Sequence, residues 1–144
     1  MQIIRQIAPE DVAQVGWNLQ AVVVAPGEGA SLAADRLAGL GLRVLRMGDI
    51  YSALSAIMDD PSICNMLVVE CDQVGGLDDM RRTVRLMGET MALVPVILIS
   101  SECQTQSFSQ IRTEPTVLRA PLSAVSLRVG FEHVMRDRLV PRVA

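Results

Sequence analysis

Beyond residue 20 the hydrophobic positions fall into short apolar runs separated by longer segments with a single apolar face. Runs of this length, rich in β-branched residues, are typical of buried strands. The predicted strands are Ala21–Ala25, Arg43–Met47, Met66–Glu70, Val94–Ser101 and Thr116–Arg119. Most are apolar at consecutive positions, as parallel strands covered on both faces are. The second contains two arginines, Arg43 and Arg46, which predicts a place near an edge of the sheet.

Amphipathic segments occupy the intervals between these strands. Ser31 and Asp49 are predicted to cap the first two helices, which end near Leu40 and before Pro61. A third helix is expected from Leu77 to about Met91. The polar stretch 102–114 is interpreted as a fourth helix.

Ser123 is predicted to cap a final helix that runs to about Leu139. Its buried side is assigned to Val125, Leu127, Val129, Phe131 and Val134.

This alternation predicts an α/β fold, a three-layer doubly wound five-stranded parallel sheet with the flavodoxin-like strand order 2-1-3-4-5. Functional loops in such sheets follow the carboxyl ends of the strands. The loops of interest are therefore Pro26–Gly29, Glu70–Gly76 and Ser100–Cys103. One domain is expected over residues 21–140, with an N-terminal extension at 1–20, containing a short helix from Pro9, and a tail at 141–144.

Charge and composition limit the classes of function that the chain can have. The net charge of −3 gives no electrostatic reason to expect nucleic-acid binding. All thirteen basic residues are arginine, so a phosphate-loop lysine and a Schiff-base lysine are both excluded. No apolar run approaches transmembrane length and the first residues do not form a secretory signal. We expect a cytoplasmic protein.

The cysteines and the single histidine do not suggest a bound cofactor. Cys64, Cys71, Cys103 and His133 lack metal-ligand spacing, so we predict neither a metal nor another cofactor. Cys71 and Cys103 follow neighbouring strands, which leaves a redox-sensitive pair as an alternative to incidental buried thiols.

Two of these loops follow the runs Asn65-Met-Leu-Val-Val-Glu70 and Val94-Pro-Val-Ile-Leu-Ile-Ser100. These runs resemble the third and fourth strands of receiver domains in bacterial two-component response regulators, and the resemblance covers residues 21–139. In that family an acidic pair follows the first strand and an aspartate ending the third strand accepts phosphate. A threonine or serine ends the fourth strand, and a lysine-proline pair ends the fifth.

At these positions the chain departs from the family. Ala25 and Pro26 replace the acidic pair, and Glu70 replaces the phosphate-accepting aspartate. Ser100 keeps the hydroxyl. At the end of the fifth strand Pro121 is kept, but Ala120 replaces the lysine.

These departures predict a degenerate phosphoacceptor pocket. Mg²⁺ prefers carboxylate and other hard oxygen ligands, and the first loop has lost two of them. Two interpretations of Glu70 stay open: a hydrogen bond to Ser100 that imitates the phosphorylated state, or a polar strand end without a role. If the third strand is aligned with the receiver family in another register, Asp72 takes the position of the phosphate acceptor.

The resemblance implies a pseudo-receiver, a signalling module that is not an enzyme and acts by protein–protein interaction. Its expected partner is a protein of a bacterial signalling pathway, or a second copy, bound through the 102–139 face, with no membrane or direct nucleic-acid contact. The alternatives are a phospho-accepting receiver that uses Asp72 or Glu70, and a flavodoxin-like small-molecule or redox domain. Arg81, Arg82 and Arg85 are interpreted either as a docking site for an acidic partner or as a solvated helix face.

Overall fold

A computed structural model describes the backbone of residues 18–139 and the side chains of residues 18–136. The strands are β1 Gln20–Val24, β2 Arg43–Met47, β3 Met66–Glu70, β4 Val96–Ser100 and β5 Thr116–Arg119. The α-helices are α1 Leu32–Gly39, α2 Ile50–Asp59, α3 Leu77–Val84, α4 Thr90–Leu93 and α5 Ala124–Leu139. Short 3-10 turns lie at Pro61–Ile63, Cys71–Gln73 and Arg85–Met87. The predicted N-terminal helix from Pro9 and the tail at 141–144 lie outside the described residues.

The strands form one parallel sheet in the order β2-β1-β3-β4-β5. The predicted fold class and strand order are therefore confirmed. Successive side chains of a strand point to opposite faces, so each strand supplies two cores. One core, under α2 and α3, contains Val22, Val24 and Leu98. The other, under α1 and α5, contains Val23, Val68 and Ile97.

The predicted helix caps at Ser31, Asp49 and Ser123 are confirmed. Ala34 N donates to Ser31 Oγ over 3.1 Å, and Ser52 N donates to Asp49 Oδ2 over 2.9 Å. Ser126 N donates to Ser123 Oγ over 3.0 Å. Each bond satisfies a backbone donor that the first helical turn leaves without an intrahelical partner.

The single helix predicted from Leu77 to Met91 is wrong. The chain passes from α3 through a 3-10 turn to Gly88 and then into the one-turn helix α4. Gly88 has a φ of 53°, which a right-handed helix does not accommodate. The positive φ of this glycine therefore separates α4 from the 3-10 turn before it.

The helix predicted at 102–114 is also wrong. Ser107 forms an antiparallel bridge with Val117 of β5, in which the two nitrogen-to-oxygen distances are 2.9 and 2.7 Å. Phe108 is partly buried, whereas Ile111 is 60% exposed, so the stretch has no continuous apolar face to pack as a helix. Its backbone instead pairs with the outer edge of the sheet, where it covers β5.

Two residues assigned to the buried side of α5 face solvent. Val125 is 73% exposed and Val129 is 46% exposed, whereas Leu127, Phe131 and Val134 are buried. Alternate positions share a face in a strand, but in a helix they lie about 200° apart. The exposed valines thus belong to the outer face of α5.

Candidate functional site

The predicted site residues gather at one edge of the sheet. Val24 lies beside Val69, Glu70 beside Ile99 and Ser100 beside Arg119, so the carboxyl ends of the four strands are level. Ala120 N donates to Ser100 O over 3.0 Å. Ala25, Glu70, Ser100 and Ala120 therefore share this edge, but their side chains do not all share one face.

Glu70 points to the α1 side of the sheet. Its Oε2 accepts hydrogen bonds from Ser31 Oγ over 2.9 Å and from Ala33 N over 3.2 Å. Glu70 follows Met66 and Val68 on the face that α1 and α5 cover. A carboxylate at this place stabilises the beginning of α1, where backbone N–H groups lack partners.

The predicted hydrogen bond between Glu70 and Ser100 is absent, so that interpretation is wrong. Ser100 follows Leu98 on the opposite face of the sheet, and its hydroxyl donates to Asp72 Oδ1 over 3.0 Å. The strand periodicity of two separates the two side chains. Glu70 and Ser100 thus belong to different networks.

Asp72 joins the loop after β3 to the loop after β4. Besides Ser100 Oγ, its carboxylate accepts from Ser101 N, with 3.1 Å to each of its two oxygens. Asp72 lies in the 3-10 turn at Cys71–Gln73, which places its side chain next to the end of β4. Its carboxylate is thus engaged by donors of the neighbouring loop.

Glu102 forms a second connection between the same loops. Its Oε1 accepts from Leu77 N, the first residue of α3, over 2.9 Å. Its own N–H donates to Ser100 Oγ over 3.0 Å. We call the set Asp72, Leu77, Ser100, Ser101 and Glu102 the loop clamp.

Gly76 makes the second connection of the loop clamp possible. Its φ is 95°, and a Cβ at this position would lie 2.9 Å from Glu102 Oε1. Any larger residue would therefore be strained and would also displace the glutamate. The sequence analysis included this glycine in a loop of interest but missed Glu102, because nothing in a polar stretch marks one glutamate as a helix cap.

The first loop is held by an arginine that sequence reasoning placed only on an edge strand. Arg46 of β2 donates from Nε to Ala25 O over 2.9 Å, from Nη1 to Gly29 O over 2.5 Å, and from Nη2 to Pro26 O over 3.3 Å. One guanidinium thus binds three carbonyl groups of the loop that replaces the acidic pair. Pro26 contributes only its carbonyl oxygen to this arrangement.

At the end of β5, Ala120 and Pro121 are joined by a cis peptide bond. The Ala120 methyl group offers neither a charge nor a hydrogen-bond donor to the carboxylates. The neighbouring Arg119 donates from Nε to Cys103 O over 3.1 Å, so its guanidinium supports the 102–106 loop.

Within the part of the chain described, no arginine lies within 4 Å of the Glu70, Asp72 or Glu102 carboxylates. Neither do the side chains of residues 18–136 include three histidine, cysteine, aspartate or glutamate residues grouped to hold a metal ion. The acidic side chains at the edge are instead stabilised by backbone and hydroxyl donors.

The cysteines near the site are buried and free. Burial, helped by the negative charges of Asp72 and Glu102, raises the pKa of the Cys71 thiol to about 12. Burial likewise raises the pKa of the Cys64 thiol to about 11. Because a thiolate is the reactive form, both side chains are protonated and unreactive at neutral pH.

The arrangement defines a doubly wound domain with loops joined at the carboxyl edge of its sheet. No family model and no curated protein sequence matches this chain. A solved structure does match: an aspartate-to-alanine mutant of the receiver domain of a histidine kinase from Arabidopsis thaliana. The TM-score is 0.52 at 12% identity, over 93% of this chain and 98% of that one. The chain therefore has the receiver-domain fold.

No α-helix between residues 18 and 139 combines the length and apolar character needed to cross a membrane.

The loop clamp predicts selective changes in amide hydrogen exchange. Asp72→Ala should speed exchange at the Ser101 amide about tenfold, the effect of losing one hydrogen bond to a charged group, with a smaller change at Leu77. Glu102→Ala should speed exchange at Leu77. The measurement is exchange followed residue by residue by NMR.

Glu89→Ala is the matched control, because Glu89 is exposed and its carboxylate makes no hydrogen bond to a described residue. Equal exchange at Ser101 in wild type and Asp72→Ala would contradict the clamp.

Proposed function

We propose that the chain is a degenerate receiver-like signalling module that acts through protein–protein interaction without phosphoryl transfer. The observation that carries the proposal is the hydrogen bonding of Ser100 and Ser101 to Asp72. In receivers the hydroxyl that ends the fourth strand lies beside the phosphate-accepting aspartate. Asp72 takes that place here, but its carboxylate is already bound to the hydroxyl and to the amide after it.

The first loop further supports the absence of phosphoryl transfer. Transfer to a carboxylate requires a divalent cation, since several negative oxygens must be neutralised together. Ala25 and Pro26 provide no carboxylate, and their carbonyl groups accept hydrogen bonds from Arg46. The Glu70 carboxylate is directed to α1 instead. The donor set for magnesium is therefore poor.

The fifth strand supplies the third argument. A receiver lysine pairs with the bound phosphoryl group, whereas Ala120 has no charge to offer. Arg119 does not replace the lysine, because its guanidinium donates to Cys103 O in the 102–106 loop. We infer from the three differences that the module is not an enzyme. A cytoplasmic location is a separate proposal, supported by the buried free thiols of Cys64, Cys71 and Cys103.

We place the contact with a protein partner, or with a second copy, on the 102–139 face. Val125 and Val129 lie one turn apart on the outer side of α5, and both are exposed. The adjoining loop adds polar side chains at Gln104, Thr105 and Gln106, which line a cavity together with Arg119 and Ser126. Exposed apolar residues beside polar ones are typical of protein interfaces.

Phosphoryl transfer is tested by incubating the protein with acetyl phosphate and Mg²⁺ and measuring its intact mass. We expect no gain of a phosphoryl group, because the metal-binding carboxylates are missing. A phosphorylatable receiver treated in parallel is the positive control. A stable phosphoryl adduct that Asp72→Asn or Glu70→Gln abolishes would overturn the proposal and identify the acceptor.

The interaction face is tested with Val125→Glu. This exposed substitution should change the free energy of unfolding by less than about 0.5 kcal/mol, whereas Leu127→Ala in the core should lower it by about 2–5 kcal/mol. Urea unfolding measures both values.

Sedimentation over a range of concentrations then compares Val125→Glu with the wild type. Association of the wild type that the variant lacks supports a second copy as partner. Association of both proteins to the same extent would contradict a dimer through this face.

A further inference from the structure

A cavity of about 140 Å³ opens beside α3, away from the carboxyl edge of the sheet. It lies between the end of that helix and the segment that pairs with β5, and exists because residues 102–114 are not helical. Its lining consists of Arg81, Arg85, Ser107, Thr113, Glu114, Pro115 and Val117. The volume is several times the roughly 30 Å³ that one water occupies in the liquid, so a tetrahedral anion fits.

Two guanidinium groups in this lining have no ionic partner among the described residues. Arg81 and Arg85 lie one helical turn apart, and no carboxylate of a described residue comes within 4 Å of either. Like charges at this spacing destabilise a helix. Arg82, between them in sequence, is different: it pairs with Asp79 and does not line the cavity.

The opposite wall contributes uncharged donors. Ser107 is held in place by its backbone bridge to Val117, and its hydroxyl makes no hydrogen bond to a described residue. The hydroxyl of Thr113 is likewise without such a bond. Hydroxyl groups beside guanidinium groups are the donors that phosphate oxygens accept from.

Glu114 is the opposing charge in the cavity. Its Oε1 accepts from Gln110 N over 2.6 Å, so one oxygen is directed to its own loop. Two arginines and one glutamate leave the lining with a net positive charge. The glutamate should weaken an anion complex, and this makes its removal a diagnostic change.

We propose that this cavity binds an oxyanion of the phosphate type, held by Arg81 and Arg85 and by the hydroxyl groups of Ser107 and Thr113. The binding is non-covalent and does not depend on the chemistry at Asp72. The same chemistry recognises free phosphate and a phosphorylated serine of a partner protein.

The test is an NMR titration of the full chain with inorganic phosphate, and separately with a phosphoserine peptide, against chloride at equal ionic strength. Saturable shifts at Ser107 and Thr113 are expected with at least one of the two probes. Phosphate alone indicates the free anion as ligand, and the peptide alone indicates a phosphorylated partner. Absence of saturation with both probes would overturn the proposal.

Variants distinguish specific binding in the cavity from a general attraction of anions to the positive surface. Arg81→Gln and Arg85→Gln should each weaken binding about tenfold, the loss of a charge-assisted hydrogen bond. Glu114→Gln should strengthen it. Arg82→Gln, which removes the same charge from the same helix, should have a much smaller effect. Equal weakening by Arg82→Gln and Arg85→Gln would overturn the proposal, and circular dichroism checks that each variant is folded.

Discussion

The hydrogen bonds that Ser100 and Ser101 donate to the Asp72 carboxylate determine how the loops after β3 and β4 are organised. Ser100 is fully buried, so its hydroxyl needs a partner inside the protein. Asp72 provides it and also accepts from the Ser101 amide. Since Glu102 caps α3 from the same loop, the ends of β3 and β4 are joined twice. These two connections fix the loops after β3 and β4 relative to each other.

Three acidic side chains at the edge are engaged within the chain. Glu70 stabilises the beginning of α1, Asp72 the end of β4, and Glu102 the beginning of α3. The loop that replaces the acidic pair is held by Arg46. Internal donors therefore occupy groups that a phosphoryl-transfer site would need for a cation and a phosphate. These internal hydrogen bonds, together with the receiver-domain fold, are the basis for proposing a signalling domain without phosphoryl chemistry.

Hydrophobic pattern was enough to predict the sheet, because parallel strands are buried on both faces and are therefore apolar at consecutive positions. It also predicted the caps at Ser31 and Asp49, whose side chains act on their own helices. The pattern failed to predict local structure where contacts with residues distant in sequence determine it. Residues 102–114 pair with β5, and Glu102 reaches α3 across 25 residues of sequence. The orientation of Glu70 follows from its strand parity, but the choice of Asp72 as the partner of Ser100 required coordinates.

Whether the loop clamp already holds the edge in one arrangement can be measured by adding beryllofluoride with Mg²⁺, which imitates a phosphoryl group on a carboxylate, and recording NMR spectra. The amide signals of Ser101 and Leu77 should stay unchanged at all concentrations, because Asp72 and Glu102 are occupied and no carboxylate pair holds the cation. Saturable, Mg²⁺-dependent shifts at these two amides would contradict the account, since they would show a site that still accepts a phosphoryl group.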